Sequence, residues 1–94
     1  MAGPHNVETL VVLQPIAVDT DSSDCKGMLV LANGMLVAVL VQLNHSEEKQ
    51  KGRWFIEAGF GRLRDLRQRP FDTLDDATRW LRQQMKPNVV NRQS

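Results

Sequence analysis

Residues 27–43 read GMLVLANGMLVAVLVQL, with no charge and only two polar side chains, Asn33 and Gln42. The charge-free window runs on to Ser46, long enough for a membrane helix of ~20 residues. The dipeptide Asn33-Gly34 argues for a different structure. It lies between two apolar runs and is the strongest short-range signal for a two-residue hairpin turn, because both turn positions need positive φ. The runs themselves are rich in valine, which suits strands. A hairpin is expected, not a span.

A two-residue turn sets a register in which Leu31 faces Leu36, Val30 faces Val37 and Leu29 faces Ala38. Alternation then puts Met28, Val30, Ala32, Met35, Val37, Val39, Val41 and Leu43 on one face. The other face receives Leu29, Leu31, Leu36, Ala38 and Leu40. Both faces are apolar, whereas a sheet open to water on one side would alternate cleanly.

Working outward, ETLVVLQPIAV (8–18) reads as a strand, with Pro15 marking an edge position or a bulge. DTDSSDCKG follows as a polar loop, and NHSEEKQKG as a hydrophilic turn. RWFIEAGFG (53–61) is a fourth strand with Trp54, Ile56, Ala58 and Phe60 on one face. Gly59 and Gly61 suggest a bulge or a close backbone approach. RLRDLRQRP (62–70) is a basic connector. A helix begins beyond Phe71, where Thr73 and Asp76 resemble a capping box. Its apolar face carries Leu74, Ala77, Thr78, Leu81 and Met85, with Trp80 at the edge, and Pro87 stops it. The fold class is α+β: a mostly antiparallel four-stranded sheet (β-β-β-β-α) with one C-terminal helix packed on one face.

The 94 residues suit one domain, with 1–6 and 88–94 expected to fray. Net charge is +1 but unevenly spread. Through Glu48, six acids face only Lys26, a balance of −5; from Lys49 onward eleven Lys and Arg face five acids, a balance of +6. Such a split marks a nucleic-acid contact or mutual neutralisation of the halves. Cys25 is the only cysteine, which rules out an intrachain disulfide and a thiolate zinc cluster. MAGPHNVETL is not a signal peptide, and a cytoplasmic protein is expected.

Candidate chemistry is sparse. His5 and His45 have no ligand-spaced partners, and the acids of DTDSSD lack the glycine and glutamate that a calcium loop requires. Neither a phosphate-binding motif nor a catalytic triad is present. No enzyme, cofactor or metal is expected. Trp54, Phe71, Thr73 and Ala77 loosely resemble the W…F-x-T-x-x-x-A pattern of small DNA-binding domains with three strands and a helix. Packing or capping accounts for each of the four, and no membership is read from them.

One helix can cover one sheet face, not two. Leaving Leu29, Leu31, Leu36 and Leu40 in water forfeits roughly 1.5–3 kcal/mol per side chain. The expected cover is the N-terminal strand folded across, the connector through Leu63 and Leu66, or a second copy. The leading expectation is therefore a non-catalytic interaction module forming a homodimer through Leu29, Leu31, Leu36 and Leu40. The runner-up is a nucleic-acid-binding domain gripping phosphate with Arg62, Arg64, Arg67 and Arg69, with Phe55 as a stacking platform. A third reading makes the leucine face an apolar-ligand carrier.

Overall fold

A computed structural model describes residues 10–44, 51–66 and 68–85. Strands β1 (Val11–Ala17), β2 (Lys26–Ala32), β3 (Met35–Leu43) and β4 (Arg53–Gly59) precede a short 3-10 helix (Gly61–Leu63) and helix α1 (Leu74–Met85). The strands form one antiparallel sheet in the order β1-β2-β3-β4. The α+β class and the strand order along the chain are those read from the sequence. Residues 1–9, His45, Lys86 and Pro87 lie outside the described residues, as do both segments expected to fray.

The opening stretch is the β2–β3 hairpin. Asn33 and Gly34 turn with φ of 51° and 85°, the left-handed pair of a type I′ turn. Asn33 also ties down the start of β1: its N–H donates to the Leu10 carbonyl at 2.8 Å, and its side-chain oxygen accepts from the Leu10 N–H at 2.9 Å. Pro15 sits in β1, at the edge of the sheet, without a register shift.

The hairpin departs from the expected register after one turn. Leu31 faces Leu36, but Val30 faces Ala38, Leu29 faces Val39 and Met28 faces Leu40. Val37 is an extra residue, a bulge that reverses the alternation for the rest of β3. A second bulge falls at Glu57, since Leu40 faces Ile56 while Val39 faces Ala58. Ala58 therefore leaves the face of Trp54 and Ile56, against expectation, and Gly59 replaces it opposite Ala38.

One face of the sheet carries the core. Val30, Ala38, Leu40, Trp54, Leu63, Phe71, Ala77 and Leu81 form a buried cluster, with Leu13, Met28, Ile56, Leu74, Trp80 and Met85 packed against it. The Phe71 and Trp80 rings meet at 5.6 Å between centroids, tilted by 48°. Phe71 also pairs with Trp54 along the outer edge of β4, exchanging backbone bonds of 2.8 and 2.7 Å. The connector stays on this side of the sheet. Leu63 is buried at 2% exposure, and a Cβ at Gly59 would fall on its carbonyl oxygen. That is the close backbone approach the paired glycines suggested.

α1 starts where its cap lies. The Asp76 N–H donates to Thr73 Oγ1 at 3.0 Å, satisfying an orphan donor of the first turn. The Asp76 carboxylate turns forward to Arg79 at 3.3 Å. Asp75 and Asp76 occupy the first turn, where the positive end of the helix dipole favours carboxylates. The moderately exposed Thr78 donates its hydroxyl to the Leu74 carbonyl at 2.8 Å.

Candidate self-association face

Among the described residues, the opposite face of the sheet has no helix on it. Register places Val12, Gln14 and Ile16 from β1 beside Leu31, Leu29 and Gly27 of β2. Leu36, Val39, Val41 and Leu43 of β3 follow, then Phe55 and Ala58 of β4. Alternation is the only reason these side chains share a side. Apart from Gln14 and the Arg53 stem at one corner, this face is apolar.

Its exposure is substantial. Val12 is 46% exposed, Ile16 and Leu36 are each 40%, and Phe55 is 37%. Leu29, Leu31, Val39 and Leu43 are half-buried by their neighbours in the sheet. Val41, at 2% exposure, and Gly27 beside it are buried. Seven residues at ~3.3 Å along four strands at ~4.8 Å give a face of roughly 450 Å². Contiguous apolar patches of ~300–600 Å² are often functional surfaces.

Three of the four leucines expected to mediate self-association lie here: Leu29, Leu31 and Leu36. Leu40 does not. It is 0% exposed in the core cluster with Leu81 and Phe71, because the Val37 bulge moves it to the helix side. Val39, Val41 and Leu43 take the opposite route and join the uncovered face. Sequence reasoning missed them, along with Val12 and Ile16. Val12 and Ile16 left no alternating signal, since Gln14 is the only polar side chain of VVLQPI.

Neither internal cover expected from sequence lies across this face among the described residues. β1 pairs beside β2 in the plane of the sheet. Leu63 faces the core, and Leu66 is 41% exposed on the connector. Glu8 and Thr9, read as part of the first strand, lie outside the described residues.

The arginines are less concerted than their spacing suggested. Arg62 donates to the Gln84 carbonyl at 3.3 Å, at the C-terminal end of α1 where cations are favoured. Arg53 pairs with Asp72 at 2.9 Å. Arg64 and Arg69 are exposed, and Arg67 lies outside the described residues. The acidic loop is an internally bonded structure. The buried Asp24 accepts from the Asn44 N–H at 2.9 Å, and its own carbonyl takes the Thr20 hydroxyl at 2.8 Å. Asp19 accepts from the Asp21 N–H at 3.1 Å. These bonds make Asp24 a cap on the end of β3. Cys25 is exposed.

Where the hairpin end meets the last turn of α1, a depression of about 590 Å³ opens between Met35, Leu36, Phe60, Arg62 and Met85. It adjoins the uncovered face through Leu36. No helix among the described residues is long and apolar enough to cross a membrane, and no group of three or more His, Cys, Asp or Glu among them is placed to hold a metal ion. No protein-family model, curated protein or solved structure matches this chain.

Proposed function

We propose that this chain is a non-catalytic interaction module that forms a homodimer through the uncovered face of its sheet. The observation that carries this reading is the apolar run Val12, Ile16, Leu29, Leu31, Leu36, Val39 and Phe55 across all four strands, with four of the seven more than a third exposed. Isologous pairing is the commonest way for a soluble chain to bury one such patch. Two faces of this size come close to the ~1,000 Å² at which specific interfaces begin. An interface of that size lies at the low end of the range, where transient complexes are found. An exposed lone thiol at Cys25 suits a reducing compartment, and the module is assigned to the cytoplasm.

Light scattering at increasing protein concentration tests the reading. The mass should rise to that of two chains and persist in high salt, because apolar burial is not screened. Leu36→Glu should hold it at one chain with the far-ultraviolet circular dichroism unchanged. A wild-type chain that stays monomeric into the high micromolar range rejects the proposal. A small molecule recovered from the purified protein by mass spectrometry would move the assignment to a carrier.

The nucleic-acid alternative has less beneath it. Arg62, though exposed, is engaged at α1 and Arg53 is paired, while Arg64 and Arg69 are exposed on the connector. Oligonucleotide binding at low salt that weakens steeply as salt rises and is lost in Arg64→Ala would revive it.

A further inference from the structure

A sheet with an uncovered face also has edges, and the two edges here differ. Along β4, the Trp54 backbone already exchanges both of its bonds with Phe71. Along β1, no backbone partner lies on the outer side among the described residues. Such an edge is a template for another strand.

Which groups β1 offers follows from its ladder. At one end the Asn33 N–H donates to the Leu10 carbonyl at 2.8 Å, and at the other the Val18 N–H donates to the Cys25 carbonyl at 2.8 Å. The register between them is unbroken. In an antiparallel ladder, pairs that exchange bonds alternate with pairs whose N–H and C=O point away. Even-numbered residues of β1 therefore bond inward to β2. Val11, Leu13, Pro15 and Ala17 turn their backbone groups outward to the free edge.

Pro15 stands within that outward set. It has no N–H, and its ring fills the place where an incoming carbonyl would bond. Because the position points away from β2, the proline leaves the ladder to β2 whole. One position earlier or later it would cost an inward bond.

We infer that Pro15 closes the free edge of the sheet to strand addition, so that contact between copies of this chain is confined to the sheet face and stops at two. This builds on the self-association reading, but its test does not depend on that reading. A second two-fold contact along β1, added to the face dimer, joins dimers into open-ended chains, whereas the isologous face alone closes at two.

The test compares wild type, Pro15→Val and the double variant Pro15→Val/Ala17→Pro, followed by light scattering and thioflavin fluorescence from low to high micromolar protein. Valine supplies the missing donor at a solvent-facing position, so the chain should fold as before. Its mass should then grow at least several-fold beyond that of wild type, with a rise in thioflavin signal. Proline at 17, the next outward position, should reverse most of that growth. Pro15→Val with native circular dichroism and the mass distribution of wild type overturns the inference. Growth that Ala17→Pro leaves untouched also overturns it, since the new contact would then lie elsewhere. A monomeric wild type beside an assembling Pro15→Val rejects the face dimer alone and leaves the edge assignment standing.

Discussion

Leu36 and Leu40 are identical side chains four residues apart on β3, and they end in opposite environments. Leu40 is 0% exposed beneath α1, while Leu36 is 40% exposed on the uncovered face. The faces they belong to are both rich in aliphatic residues. What separates them is the helix and the two bulges that decide which residues it covers. The covered face carries Val30, Ala38, Leu40, Trp54 and Ile56, and at Gly59 the Leu63 backbone comes too close for a Cβ. The other face carries Leu29, Leu31, Leu36, Val39 and Phe55, with no helix over it among the described residues. Neither hydrophobicity nor side-chain size distinguishes the two faces; the helix packed on one of them does.

The sharpest way to break this comparison is to put a charge at each leucine. Leu40→Glu buries a carboxylate with no partner and should remove about 4 kcal/mol or more, a large share of a small domain's stability. Urea unfolding followed by circular dichroism should show little or no folded baseline. Leu36→Glu should leave the urea midpoint of the monomer within about 1 kcal/mol of wild type. If Leu40→Glu folds and Leu36→Glu does not, the bulge at Val37 is misplaced. Next in size, Gly59→Ala drives a methyl group onto the Leu63 carbonyl and should cost about 2–3 kcal/mol by the same measurement. Ala58→Gly, one residue away and on the other face, should cost no more than about 1 kcal/mol.

Smaller effects sharpen the comparison at its margins. Thr73→Ala removes the cap of the helix that makes one face a core, and a loss of about 1 kcal/mol is expected. Amide exchange in the first turn of α1 should speed up while exchange in β2 and β3 stays slow. Smallest of all, Arg53→Ala at the corner of the uncovered face breaks an ion pair in which both partners are well exposed. Its effect should be about 0.5 kcal/mol or less and should vanish in high salt. A larger loss would mean that the Arg53 stem packs on the apolar face.

Much of this protein was legible without coordinates. Asn33-Gly34 dictated a hairpin because two positive-φ positions between apolar runs admit little else. Thr73 ahead of an amphipathic run dictated where α1 begins, and Pro15 restricted its strand to an edge position or a bulge, of which the fold takes the edge. These are local constraints, and the chain carries them wherever it goes. The faces of β3 were not legible. In LVAVLV either alternation places aliphatic side chains on both sides, so a one-residue bulge carries no hydrophobic penalty and leaves no trace in the pattern. The Val37 bulge put Ala38 and Leu40 on the helix side of the sheet and left Val39 and Leu36 on the other. The same holds for the arginines: spacing made Arg62 and Arg64 look like one patch, and folding set Arg62 against the end of α1. Sequence alone determined which elements form. Which side of each element is buried waited on what the rest of the chain packed against it.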